Sequence, residues 1–279
     1  MRKLRGWQQI LIQFGLALVA VFVLLPIWWM VYMAFDSSII GWPTSFRLWP
    51  EQPSLEIFTR VWERPSQDQP FLGLLKNSLI VSGGAAFFSI SLGASMAFSF
   101  ARHRFPGRQA GLFALLLGAL LPPVALMVPL YVLLSAIGLR TTLFGLIIVY
   151  TSFAMPFCIW NMRAAFQAIP NEMVEAAFLD GAGEFMSFWH IILPLTLPSI
   201  GVAGLIAFLI GYSEFAMGWL FVERSQNVTL AMAISQLGLP SLSNMAALSV
   251  MMSAPVVVIF LLFQRYLLDR LLFGAISES

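Results

Sequence analysis

Two histidines, one cysteine and two lysines are a thin endowment for catalysis in a chain of 279 residues. His103 and His190 stand far apart on polar stretches and Cys158 sits in an apolar run, so no metal-ligand spacing exists and no intramolecular disulfide can form. Neither Lys3 nor Lys76 follows a glycine, so the Gly-Lys-Ser/Thr loop that cradles nucleotide phosphates is missing. Gly93-Ala94-Ser95 offers a serine nucleophile of the kind an intramembrane hydrolase uses, but both histidines lie outside the apolar runs and neither lysine is inside one to serve as its base. Two other features carry more. One is a lone carboxylate, Glu214, deep in an apolar run behind Tyr212 and Ser213. The other is an acidic, alanine-rich stretch from Ile169 to Gly181 that is too polar to cross a membrane and too patterned to be a plain linker.

Composition fixes the solvent of the elements that hold these residues. Apolar side chains make up 59% of the chain and charged ones 10%. Soluble domains carry about 25% charged residues, so this chain lacks the means to cover a water-facing surface. Disorder is excluded by the same numbers. The 15 basic and 13 acidic residues leave a net charge of +2 without a basic stripe, which argues against nucleic acid as a partner. A lipid bilayer is the partner that composition demands.

A membrane span needs about 20 mostly apolar residues. Six segments meet this: roughly 10–35, 74–100, 110–136, 142–166, 198–221 and 245–268. The sequence predicts an all-α membrane protein with six transmembrane helices. Its expected organisation is a first span and outer loop over 1–73, a five-span core over 74–268, and a cytoplasmic tail over 269–279. The apolar run after Arg2, Lys3 and Arg5 is longer than a signal peptide's and reads as a retained span. Prolines 26, 122, 123, 129, 156, 198 and 255 fall within the spans, where neighbouring helices can satisfy the carbonyls they free.

Orientation follows from the loops. With the N-terminus inside, the inner segments and inner span ends hold nine basic residues: Arg2, Lys3, Arg5, Arg102, Arg104, Arg108, Arg163, Arg265 and Arg270. The outer ones hold six: Arg47, Arg60, Arg64, Lys76, Arg140 and Arg224. Both termini are then cytoplasmic. The outer loop from Asp36 to Phe71 carries Trp42, Trp49 and Trp62 and reads as an ordered cap.

The acidic stretch lies between spans four and five, on the inner side. Pro170 suits a first helical position, and Glu172 and Glu175 complement the helix dipole in the first turns. Met173, Ala176 and Ala177 form one apolar stripe at helical spacing, and Gly181 or Gly183 can take the left-handed position that ends the helix. No Lys or Arg occurs between Arg163 and Arg224, so anionic lipid would repel the stretch and a protein surface suits it better.

Glu175-Ala176-Ala177, three residues, Gly181, nine residues, Ile191, one residue, Leu193-Pro194 fits the EAA motif without a gap. The chain therefore resembles the membrane subunits of ATP-binding-cassette importers. Phe100-Ala-Arg-His-Arg-Phe-Pro-Gly-Arg108, Pro129-Leu-Tyr131, Gly138-Leu-Arg-Thr-Thr142 and Asp180-Gly-Ala182 resemble the carbohydrate-uptake branch, in particular the second permease of maltose-type systems. The resemblance covers roughly 74–268.

It implies a cytoplasmic coupling helix in the loop at about 167–197, docking to an ATPase through Glu175, Ala176, Ala177, Asp180, Gly181, Ile191, Leu193 and Pro194. It implies a second related permease, two ATP-binding-cassette ATPases that bind the ATP, and an extracytoplasmic solute-binding protein as partners, with no cofactor of the chain's own. Where the branch often reads Trp-Asn-Glu-Phe, this chain has Tyr212-Ser213-Glu214-Phe215. Tyr212, Ser213 and Glu214 are the candidate solute pathway, because an ionised carboxylate is acceptor-only and suits a hydroxyl-rich ligand. An interspan hydrogen bond by Glu214 is the structural alternative. An ion-coupled secondary transporter and an intramembrane hydrolase remain as rival classes.

Overall fold

A computed structural model describes residues 6–39, 41, 47–65, 69–223, 225–236 and 242–276. Arg2, Lys3, Arg5, Trp42 and Arg224 lie outside the described residues, as do the side chains of Arg265 and Arg270. Every regular element among the described residues is helical, apart from one isolated bridge between Asp36 and Pro53.

Among the described residues, four helices are long and apolar enough to cross a membrane: α1 (Gly6–Phe35), α3 (Phe71–Arg102), α6 (Leu143–Gln167) and the Leu242–Gln264 part of α13 (Leu242–Ile276). A short α2 (Glu56–Glu63) lies between the first two. The predicted third span is broken. α4 (Arg108–Leu120) and α5 (Met127–Ala136), with a 3-10 turn at Pro123–Leu126, meet at 98°. Leu121 and Pro122 are both extended, because a proline drives the residue before it out of the helical region and Pro122 and Pro123 follow one another. Pro26, Pro156 and Pro255 sit singly inside continuous helices.

The predicted fifth span is broken as well. α10 (Leu197–Ser213) stops at Glu214, whose backbone is extended, and α11 (Ala216–Phe221) resumes two residues later. The number reaches six when two bent pairs, Arg108–Leu120 with Pro123–Ala136 and Glu184–Leu195 with Leu197–Ser213 at 77°, are each counted as one span. The last helix runs on to Ile276, beyond the expected end at 268.

The contacts group the chain into two compact units, 1–71 with 234–254 and 72–233 with 255–279. In the first, Asp36 organises the chain that follows α1. Its carboxylate accepts from the Ser38 hydroxyl at 2.7 Å and from the amides of Ser38, Glu51 and Gln52. Burial pushes this acid up, but those hydrogen bonds outweigh it and hold its pKa at about 2. Ser243 of α13 donates to the Asp36 and Ile39 carbonyls. Trp28 donates to the Leu48 carbonyl and meets Trp49 edge-on, while Trp62 stacks on Phe71.

In the second unit, α10 packs on α6 along Ala203 and Ala207, against a core of Cys158, Met162 and Phe166. Small residues let membrane helices approach closely. At Gly211 a Cβ would lie 3.1 Å from the Ser82 backbone of α3. One end of this unit is closed by side chains that bind loop backbone. Asn77 of α3 donates to the carbonyls of Gln226 and Val228, and Asn227 donates to that of Thr141. Arg140 sits over the Tyr131 ring and forms a two-pronged ion pair with Glu223, which holds the Glu223 carboxyl low. The Gly138–Thr142 motif makes this turn: Gly138 and Thr141 take positive φ, and Thr142 caps α6 by accepting from the Gly145 amide.

Candidate functional site

The opposite end of the second unit carries the acidic stretch. It folds as α7 (Asn171–Leu179), α8 (Glu184–Ser187), a π turn at Phe188–Ile192 and α9 (Leu193–Leu195), leading into α10. Pro170 sits one position before the helix as its N-cap rather than at its first helical position. Gly181 takes the left-handed conformation at φ 87°, whereas Gly183 is extended and opens α8. The amides of Gly181 and Ala182 then donate to the carbonyls of Phe178 and Ala177 at 3.1 and 2.9 Å. This pattern satisfies carbonyls that a helix C-terminus would leave orphaned.

The expected Met173–Ala176–Ala177 stripe divides. Ala177 is 9% exposed and faces inward, and Val174 packs on the core of the unit. Met173 and Ala176 face outward with Glu175 and Asp180. Around them Leu179 is 90% exposed and Phe185 77% exposed, beside Phe178 and Met186. Glu172 and Glu184 complete an acidic rim. Ile191 and Leu193 are half-buried and Pro194 exposed, just before the start of α10. Pro194 is the second residue of α9, where a missing N–H costs nothing.

What holds the loop is a residue that charge reading assigned only to topology. Arg102, the last residue of α3, donates Nη2 to the carbonyls of Phe166 and Ile169 at 2.8 and 2.9 Å, and Nη1 to Asn171 Oδ1 at 2.5 Å. It satisfies carbonyls at the end of α6 and ties them to the first residue of α7. Arg163 of α6 returns a bond to the Phe100 carbonyl at 3.3 Å. His103 and Glu184 pair at 3.2 Å on the surface, an exposed contact worth little by itself. The signal available in sequence was an arginine closing a helix, a type that binds terminal carbonyls. Its partners, more than 60 positions away, were not readable.

Arg102→Gln is expected to loosen the loop, because glutamine keeps one or two of three charge-assisted bonds. The loss should be about 2 kcal/mol. Hydrogen exchange over 168–182 should speed up while membrane insertion stays normal. Unchanged protection there would refute the brace.

At the far end of α10, Glu214 bridges the break. Its Oε2 accepts from Tyr150 Oη of α6 at 2.8 Å and from the Gly218 amide at 3.2 Å, and its Oε1 accepts from the Met217 amide at 3.0 Å. The carboxylate thus caps the first turn of α11 and ties it to α6. Ser213 is exposed and bonds back to the Leu209 carbonyl. Tyr212 is 2% exposed and stacks on Phe208, away from any open surface. Among the described residues no cluster of His, Cys, Asp or Glu has the makings of a metal site.

Apolar helices, two of them broken, around a braced and outward-facing acidic loop define a multi-span membrane permease subunit. The chain belongs to the family of binding-protein-dependent transport system inner membrane components, whose pattern matches residues 89–273. It is 30% identical over 278 residues, 97% of each chain, to the trehalose/maltose transport system permease protein of Thermococcus litoralis. It is 30% identical over 261 residues to the diacetylchitobiose uptake system permease protein of Streptomyces coelicolor, covering 90% of this chain and 83% of the relative. Its fold matches a chain of a bacterial ABC transporter that imports the polysaccharide alginate, with a TM-score of 0.73, 19% identity, and coverage of 95% of this chain and 99% of that one. Family membership sets aside the secondary-transporter and hydrolase classes.

Proposed function

We propose that this chain is one of two related permeases forming the pathway of an ATP-driven importer for a sugar or oligosaccharide. The second permease, two ATP-binding-cassette ATPases and an extracytoplasmic binding protein complete the assembly. The observation that carries this reading is the α7–α8 surface, with exposed Met, Phe and Leu side chains inside an acidic rim, held out by Arg102. A contiguous apolar patch rimmed by charge marks a protein interface. Its acidity makes an anionic lipid surface a poor partner. Glu175, Ala176 and Asp180 contact the ATPase, Gly181 shapes the turn between α7 and α8, and Ile191, Leu193 and Pro194 pass the movement to α10. ATP binding shifts the spans only through its different affinity for the two states.

The names of the two relatives at 30% identity support a carbohydrate solute. The shared fold adds nothing to that choice, since one fold serves many ligands. The solute path runs beside the break at Glu214–Phe215, with Ser213 facing it and Glu214 holding the break open. Discontinuous helices line pathways in this way. The α7–α8 end, which also carries Arg104, Arg108 and Arg163, faces the cytoplasm with both termini.

The test is purification of the tagged chain from its own membrane, followed by reconstitution. A second permease and an ATPase should co-purify, and uptake of maltooligosaccharides should require ATP on the α7–α8 side. Uptake driven by a proton or sodium gradient without ATP would overturn the reading.

A further inference from the structure

Two grooves of opposite character meet along α4. The first, of about 540 Å³, is lined by Arg104, Arg108 and Arg163 with Phe105 and Leu112, and among the described residues no carboxylate lines it. Neither Arg104 nor Arg108 has an ion-pair partner among the described residues. The Arg163 guanidinium spends Nε on the Phe100 carbonyl and lies 5.6 Å from the Trp160 ring centroid. Three guanidinium groups sharing one groove repel each other unless an anion sits among them.

The second groove, of about 660 Å³, lies between α3, α4 and α6 and is lined by Phe100, Gly111, Leu115, Gly118 and Met155, with few polar groups. The grooves adjoin. Arg163 and Phe100, one from each lining, are hydrogen-bonded, and the rings of Phe100 and Phe105 are 5.6 Å apart. On α4, Arg108, Gly111, Leu115 and Gly118 recur at helical spacing, so one face runs from charged to apolar. From Arg108 to Gly118 the helix rises about 15 Å, half the hydrocarbon core of a bilayer.

The geometry points to a binding site for one anionic phospholipid, its phosphodiester among Arg104, Arg108 and Arg163 and an acyl chain along Gly111, Leu115 and Gly118. A free phosphate would satisfy the arginines and leave the apolar groove without a purpose. A membrane supplies headgroup and chain in one molecule, and basic pockets at the ends of membrane helices bind such headgroups. The site is separate from the outward face of α7 and does not depend on the solute.

Native mass spectrometry of the tagged transporter, released from nanodiscs of mixed phosphatidylcholine and phosphatidylglycerol, tests this. The wild type should retain one phosphatidylglycerol in preference to phosphatidylcholine. Each arginine near an anionic headgroup contributes about fivefold, so R104Q/R108Q should weaken retention about twenty-five-fold, and R104K/R108K should restore most of it. Gly118→Leu fills the apolar groove where a new Cβ meets no atom within 4 Å. It should release the lipid with all three arginines intact and with normal assembly.

Equal retention by wild type and R104Q/R108Q would overturn the proposal. Displacement by millimolar inorganic phosphate, together with indifference to Gly118→Leu, would assign the groove to a free anion instead. A wild type that retains no phosphatidylglycerol, with residue 118 cross-linking to a partner subunit, would assign the face to protein.

Discussion

Gly181→Val is expected to abolish ATP-driven uptake while leaving the chain inserted and assembled. Gly181 holds φ 87°, and a Cβ placed there meets no atom within 4 Å. The substitution therefore acts through the backbone alone. An L-residue in the left-handed region costs about 1–2 kcal/mol, and more when β-branched. α7 has nine residues, too few to be stable without its terminal bonds, and the Ala182–Ala177 and Gly181–Phe178 bonds depend on that turn. Loss of the turn reorients the exposed Leu179 and Asp180 and spoils the docking face. Gly181→Asn is the graded control, since asparagine visits the left-handed region readily and should keep most uptake. Glu175→Lys reverses one exposed charge without touching packing and should cut uptake at least tenfold, with ATP hydrolysis released from transport. Normal uptake by both Gly181→Val and Glu175→Lys would sink the docking idea.

The long apolar runs were legible because a bilayer imposes one requirement on composition, and α1, α3 and α6 meet it without help from the rest of the molecule. The breaks were not. A proline in a membrane helix is read the same way in sequence whether neighbours absorb it, as at Pro156, or a second proline makes it a corner, as at Pro122–Pro123. In the loop, spacing identified α7 and its glycine stop, since helix ends are local. It assigned Ala177 to the outward stripe because α7's own period does not say which face packs on the core. That choice is made by Val174 and by Arg102, whose partners lie 64 to 69 residues away.

Glu214→Gln is expected to lower uptake together with assembly and thermal stability. The carboxylate receives three donors: Tyr150 Oη and the Gly218 amide on one oxygen, and the Met217 amide on the other. A glutamine offers one acceptor oxygen. Turned toward Tyr150 and Gly218, it sets its NH₂ against the Met217 amide, donor against donor. An unsatisfied amide in this half-buried break costs about 1–3 kcal/mol, and loss of the charge weakens the remaining bonds. Tyr150→Phe removes one donor and leaves the backbone cap in place, so it should cost about 1 kcal/mol and spare most uptake. The double variant should cost less than the sum, because Glu214→Gln has already weakened the bond that Tyr150→Phe removes. The measurements are the yield of assembled transporter, its melting temperature and ATP-dependent uptake in vesicles. Uptake lost at wild-type stability and assembly would move the carboxylate from holding the break to binding solute. Uptake and stability both unchanged would leave it neither role, and α11 would be capped by its surroundings alone.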